Sequence, residues 1–516
     1  MGRIQPERLR YWVAYLDRRA RPIARFVRSP GGTAAVFLLA VGAYAVESLA
    51  LPVSLSHGRD ADTYILHYLQ LADSDPPFPR LMVFRTPVTG LFLGPPLQLG
   101  GVVLLEFWLG LLFAVSIVAY FRGALYFGAL PATLCAFFLL AWPPYGALFH
   151  QASSDPVFAF LFALWVWLTV RVARTPSPRG FAASGAMVAV LVLTRPPNAV
   201  FLGFVFFVLF VPVSWRRRAA LAGAFLGCAA VLVLGWALHN GIRYGDFTIS
   251  TGRAFPSDQQ LAEFRRVRGL KPRLPSAEQR EKEHARQMRR QQGFVHFRLF
   301  QIRVWADKFW FFLSFHYSLK YNDVGGAPTW SITRTLPLRP HADDRIPLEA
   351  WVVTQVGHGL TYARPTATSP ALHFANSGKQ RRYLSYVNQI RDWEQDTRVG
   401  SARITWNLNK RVMPKFPPAY VWLLIALLVG AWRRIKGTAA LFALLATGLA
   451  LLAGTALYTY WDPLYAIPVV PLFIMLAVIV TTARLVPASQ GAAPVEATDS
   501  QGPDTTQTRS EILGKP

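Results

Sequence analysis

Ten predominantly apolar stretches punctuate the chain, at 32–55, 99–121, 124–142, 156–172, 180–193, 199–213, 219–239, 419–432, 438–458 and 464–483. A hydrocarbon core about 30 Å thick takes about 20 helical residues to cross. Backbone amides in lipid must be satisfied within the segment itself, so each stretch is read as a helix. The pattern predicts a polytopic α-helical membrane protein of about ten spans, interrupted by one large polar segment at 240–418. That segment is too polar to cross and too long for a plain connection, so it should carry structure of its own, read here as mixed.

Charge orients the spans. Alternate connections are short and basic: Arg122, then Arg171, Arg174 and Arg179, then Arg216-Arg217-Arg218, then Arg433-Arg434-Lys436, then Arg484. The positive-inside rule places these, with the Arg-rich segment 1–31, on the cytoplasmic side. Both termini then face the cytoplasm, and 240–418 lies outside. Residues 1–31 read as a basic amphipathic segment on the inner leaflet. Residues 485–516, rich in Ser, Thr, Gln, Gly and Pro, read as a disordered tail. Spans at 32–239 and 419–484 flank the outer domain, and 56–98 is the first outer loop. Within the outer domain, 293–319 interleaves Phe297, Phe300, Trp305, Phe309, Trp310, Phe311 and Phe312 with Arg298, Arg303 and Lys308. An interfacial helix and a plain core helix of the outer domain both fit that composition.

Composition supports this reading. The 516 residues are 53% hydrophobic, which excludes a soluble enzyme. A net charge of +26 in a membrane chain points to inner-face anchoring and anionic lipid rather than to nucleic acid. The two cysteines, Cys135 and Cys228, both lie in apolar spans and cannot staple the outer segment. No small-residue cleavage site follows the first span, which is read as retained. The outer segment also lacks an Asn-x-Ser/Thr acceptor, which fits a bacterial inner membrane.

The candidate chemistry clusters at predicted outer ends. Gly58-Arg59-Asp60-Ala61-Asp62-Thr63-Tyr64 follows the first span, and Arg85-Thr86-Pro87 precedes the second. Ser153-Ser154-Asp155-Pro156 begins the fourth span, and Leu193-Thr194-Arg195-Pro196 turns between the fifth and sixth. Asn240-Gly241-Ile242-Arg243-Tyr244-Gly245-Asp246-Phe247 opens the outer segment, followed by Arg253, and Tyr465-Ala466-Ile467-Pro468 enters the last span. The acids also read as helix caps, since Asp and Ser are preferred there. Glu47 and Glu106 lie within spans, about 10 Å below the outer surface. Lipid-facing carboxylates would be costly, so both should face protein or a wet cavity, and Arg195 is a candidate partner.

These motifs, in this order and topology, resemble the GT-C class of integral membrane glycosyltransferases, in its bacterial branch related to protein mannosyltransferases and aminoarabinose transferases. The resemblance covers residues 32 to about 253 and resumes at 418. Two departures are Leu464, where the class often has Arg, and Thr89, where a Tyr is common. The resemblance implies a polyprenyl-phosphate-linked sugar donor and an inverting single displacement. The acceptor would be a glycolipid, a polysaccharide or a protein, and no nucleic acid is involved.

Such a reaction needs a base for the acceptor and cations for the leaving phosphate. Asp60 is assigned as base, with Asp62 sharing that role or holding an acceptor group, and Asp155 as a second candidate acid. Arg85, Arg195, Arg243 and Arg253 are assigned to the donor phosphate. Glu47, Glu106 and Tyr64 are assigned to the cavity lining. No metal-ligand spacing occurs; Asp60 and Asp62 have the chemistry for a divalent cation, but nothing in the sequence requires one. The alternatives are an enzyme of the O-antigen ligase or polymerase type, which would rely on cations of the large loop, and a non-enzymatic polyprenyl-lipid transporter, flippase or binding protein.

Overall fold

The computed structural model describes residues 21–49, 53, 60–73, 79–250, 416–432, 438–458 and 466–482. Four short strands and scattered helical positions between 302 and 393 are also described. The helices are α1 (Pro30–Ser48), α2 (Asp60–Gln70), α3 (Pro79–Phe84), α4 (Pro87–Leu125), α5 (Ala129–Leu140), α6 (Pro143–Leu148), α7 (Ser154–Arg174), α8 (Pro178–Val192), a 3₁₀ helix (Pro196–Phe210), α9 (Trp215–Tyr244), α10 (Ala419–Trp432), α11 (Thr438–Tyr458) and α12 (Val470–Thr482). An apolar helix thus occupies each of the ten expected spans, and the chain is a polytopic helical membrane protein. Among them α1, α4, α7 and α9 are long and apolar enough to cross alone.

Local sequence sets the helix starts. Ser29 caps α1 by accepting from the Gly32 amide, and Ser177 caps α8 by accepting from Gly180. Each is followed by proline, whose missing N–H is no loss in the first turn. The sixth span, short by α-helical measure, is a 3₁₀ helix of 15 residues. At about 2.0 Å per residue it covers about 30 Å, the thickness of the hydrocarbon core, where an α-helix of equal length would cover about 22 Å.

The second span departs from expectation. Helix α4 begins at Pro87, well before the anticipated 99, and carries Pro95 and Pro96 within it. It breaks instead at Gly100 and Gly101, where Gly101 has φ 65° and ψ −155°. That backbone region is open essentially to glycine alone. Pro87–Gly100 thus forms an arm before the kink, named the outer arm after the expected topology, and the inner arm that covers the expected span follows the kink.

Glycines let the helices meet closely. A Cβ on Gly94 would stand 2.2 Å from the Tyr68 ring, which holds α2 against the outer arm of α4. A Cβ on Gly110 would stand 2.6 Å from the Tyr44 ring, which does the same for α1 and the inner arm. A Cβ on Gly185 would stand 2.0 Å from the Phe225 carbonyl oxygen, where α8 lies along α9. The last contact is with backbone, which cannot rotate away. Gly185→Ala is expected to cost about 1–3 kcal/mol by forcing the two helices apart. Gly227→Ala, on the same helix pair but with nothing within 4 Å, should be neutral. Unfolding midpoints of the two variants in detergent give the comparison.

In the outer segment β1 (Tyr317–Tyr321) pairs antiparallel with β2 (Pro328–Ile332), and β3 (Val352–Val356) with β4 (Gly359–Ala363). Strand β1 starts at Tyr317, so the helix expected over 293–319 stops short of its predicted end. Its described positions 302, 305, 306, 309, 310 and 312–314 are helical. Trp305 donates to the Ala453 carbonyl at 2.9 Å, Trp310 lies 5.5 Å from Tyr420, and Phe312 is fully buried. Trp305 therefore packs on α11 and Trp310 on α10. Residues 1–20, 251–300 and 483–516 lie outside the described residues, and with them Arg253, most of the basic N-terminal segment and the C-terminal tail.

Candidate active site

Three of the motifs, separated in sequence, meet at one end of the bundle. Thr86 Oγ1 donates to the Thr194 carbonyl at 3.0 Å, and the Val88 amide donates to the Leu193 carbonyl at 3.3 Å. The Arg-Thr-Pro entry to α4 is thereby fastened to the Leu-Thr-Arg-Pro turn. That turn is itself held by Asn198, whose amide donates to the Leu191 carbonyl at 2.8 Å. The segment after α9 joins from a third side, where Ser250 Oγ donates to the Phe84 carbonyl at 2.6 Å. It is folded back by Asn240 donating to the Thr248 carbonyl at 2.8 Å and Trp236 donating to the Ile249 carbonyl at 3.2 Å. Gly245, at φ 77°, supplies the left-handed cap that ends α9 and starts this return.

Arg85 is fixed at this junction. Its guanidinium donates to Tyr64 Oη at 3.3 Å and lies 4.5 Å from the Tyr64 ring centre and 4.7 Å from that of Phe84. Tyr64 is 4% exposed, so the cation rests on a nearly dry aromatic floor. Helix α2 begins at Asp60, earlier than the start near Thr63 that a capping role would need. Asp60 and Asp62 therefore both fall in its first turn, and Asp60 precedes Tyr64 by one turn. The side chains of the two acids lie outside the described residues.

His67, which the sequence reading left without a role, is fully buried on the same helix. Burial pushes it down to about 4, the Arg85 charge adding to the effect against the Met82 carbonyl. At neutral pH it therefore sits uncharged beneath Arg85. Its ring lies 6.4 Å from that of Trp236, which in turn stacks on His239 at 5.1 Å, linking α2 to α9.

Asp155 and Arg195 form an ion pair with side chains only 11% and 15% exposed. Arg195 Nε also donates to Ser154 Oγ at 2.8 Å, and its guanidinium lies 5.7 Å from the Phe158 ring centre. Ser153 is the cap of α7: its hydroxyl accepts the Asp155 amide and donates to Asp155 Oδ2, each at 3.2 Å. The partner expected for Arg195 was Glu47 or Glu106; the carboxylate it meets is Asp155. The reason is local, since the serine cap turns the first residues of α7 toward the 193–196 turn. Arg243 lies exposed near the end of α9.

Glu47 and Glu106 are each 8% exposed and face protein, as the cost of a carboxylate in lipid requires. Glu47 packs so closely on Gly146 that a Cβ there would stand 2.0 Å from its Oε2. Three residues earlier, Tyr44 donates to the Phe149 carbonyl at 3.3 Å and stacks on His150, with ring centres 4.1 Å apart. Burial pushes His150 down to about 3, so it too is neutral. Glu106 accepts a short hydrogen bond from the Trp393 indole. Among the described residues no group of three or more His, Cys, Asp or Glu could hold a metal ion.

Residues 98–237 match the family model described as dolichyl-phosphate-mannose-protein mannosyltransferase. That segment carries Glu106, Asp155 and Arg195; Glu47, Asp60, Asp62, Tyr64 and Arg85 precede it, and Arg243 follows it. No curated protein matches the chain significantly. Among solved structures, the crystal structure of ArnT from Cupriavidus metallidurans bound to undecaprenyl phosphate is 14% identical in sequence. The alignment covers 89% of this chain and 78% of that one, with a TM-score of 0.32.

Proposed function

We propose that this chain, whose residues 98–237 match a mannosyltransferase family model, is a membrane glycosyltransferase that moves a sugar from a polyprenyl-phosphate-linked donor to an acceptor outside the cytoplasm. The acceptor hydroxyl or amine attacks the anomeric carbon, its proton passes to a carboxylate, and the sugar–phosphate bond breaks with inversion. The polyprenyl phosphate departs with the electron pair. Asp60 acts as the base, and Asp62 shares the acidic turn. Arg85, held on Tyr64, meets the leaving phosphate, and Arg243 and Arg253 are the further cations assigned to it. Arg195 acts through its pair with Asp155, and Glu47 and Glu106 line the embedded wall.

One observation supports this reading above the others. The bonds Thr86–Thr194 and Val88–Leu193 bring Arg85 and Arg195 to the end of the bundle where α2 begins with two acids. A base and fixed guanidinium groups at one membrane face are what lipid-phosphate sugar transfer needs. In this reading the protein lies in a bacterial inner membrane with both termini cytoplasmic and 240–418 outside. The test is purified protein in lipid nanodiscs with radiolabelled polyprenyl-phosphate sugar and extracted envelope acceptors. Label is expected to move to acceptor with release of polyprenyl phosphate. Ligation of a preassembled glycan, movement of the lipid across vesicles without transfer, or binding alone would each replace the proposal with a different one.

A further inference from the structure

Among the described residues, the stretch carrying Gln389 and Trp393 meets helix α4 at two points. Gln389 and Trp393 are both helical positions, one turn apart. Gln389 lies so close to Gly101 that a Cβ there would be 2.5 Å from its Oε1. Trp393 donates its indole N–H to Glu106 Oε2. Tyr386 and Ile390, 9% and 0% exposed, lie on the same stretch. Two of these contacts fall on α4, at the kink and five residues beyond it. On the other side of the kink, Tyr68 of α2 donates to Gln98 Oε1 at 2.5 Å and packs on Gly94. The kinked arm of α4 thus carries α2, with its acidic first turn, and receives the outer segment at its end.

The chemistry of the contact is selective. An indole nitrogen only donates, and a carboxylate without its donor in this setting is costly. Trp393 and Glu106 are 287 residues apart in sequence, so the bond closes a very long excursion of the chain onto α4. Gly101 is the one residue type that both adopts the kink and leaves room for Gln389.

We propose that Trp393 is a positioning residue, whose indole clasps Glu106 and holds the stretch carrying Tyr386, Gln389 and Ile390 against the kinked helix α4. The clasp orients the Glu106 carboxylate in the wall of the site and fixes the local helical stretch that carries Gln389. Only the kinetic part of its test rests on the glycosyltransferase reading.

The test compares Trp393→Phe, Glu106→Leu and the double variant in the full chain in nanodiscs. Amide exchange of peptides covering 382–393 should speed up about ten-fold in each single variant, the loss of one charge-assisted bond. It should be no faster in the double variant, because both changes remove the same contact. Exchange within about two-fold of wild type in Trp393→Phe, or effects that multiply in the double variant, would overturn the clasp. In the transfer assay Trp393→Phe should raise KM for the polyprenyl-phosphate sugar several-fold and lower kcat less; a fall in kcat alone would overturn the positioning role. If wild-type protein transfers no sugar, the proposed function fails while exchange still decides the clasp. If Trp393→Phe does not fold, Gln389→Ala is read by the same exchange, with about three-fold acceleration expected and no change contradicting.

Discussion

Asp60→Asn should lower sugar transfer by about 10²–10⁴-fold while leaving insertion and unfolding midpoint unchanged. The substitution keeps size and hydrogen-bonding shape and removes only the capacity to take a proton. Helix α2 carries Asp60 in its first turn and Tyr64 one turn later, and Tyr64 is the floor on which Arg85 rests. A base at the start of that helix is therefore tied through two contacts to the cation assigned to the leaving phosphate. The cost to folding should be small, because one acid in a helix's first turn contributes only about 0.3–1 kcal/mol through the helix dipole. Asp62→Asn serves as the internal comparison and should lose far less if Asp60 is the base. The measurement is initial transfer rate at saturating donor, with the unfolding midpoint measured on the same preparations. Near-normal turnover by Asp60→Asn would remove this residue from the role of base, and an equal loss in both variants would assign the chemistry to the pair.

The bundle was legible because lipid imposes a coarse rule. Residues that cross it are apolar in runs, and each expected run holds a helix, even where the sixth, expected at 199–213, is a 3₁₀ helix over Pro196–Phe210. The boundaries were less legible. The apolar pattern placed the start of the second span at 99. The helix in fact begins at Pro87, runs through Pro95 and Pro96 and turns at Gly100–Gly101, where the Gln389 side chain comes close. That contact depends on residue 389, and no local pattern around residue 101 signals it. The same limit applied at the site. Arg85, Arg195 and the acids could be named from their positions at span ends, but not their partners. His67 and Trp393 were missed for a related reason. A single His on an amphipathic helix or a Trp in a polar segment becomes informative only when long-range packing brings it to Arg85 or Glu106.

Asp155→Asn should destabilise the protein by about 2–4 kcal/mol, the largest stability effect expected of any charged residue at the site. The ion pair with Arg195 is mostly dry, and removing one partner leaves an uncompensated cation where water reaches poorly. Ser153 and Ser154 cannot compensate, because hydroxyls offer no charge and are already engaged with Asp155 and Arg195. Replacing both charges, in Asp155→Asn/Arg195→Gln, should recover a large part of the loss, since the desolvation cost disappears with the pair. This cycle also separates the two roles open to Asp155. A positioning role predicts that transfer by Asp155→Asn falls with the population of folded protein and that what remains titrates with an unchanged pH profile. A catalytic acid predicts a deep loss of kcat in protein that unfolds at the wild-type midpoint. The serine cap favours the first outcome. It directs Asp155 across to the 193–196 turn, and the same turn is bonded through Thr194 to the residue that follows Arg85. The ion pair thus acts at a distance on the cation assigned to the phosphate, and its loss should raise KM for the donor before it alters the chemistry.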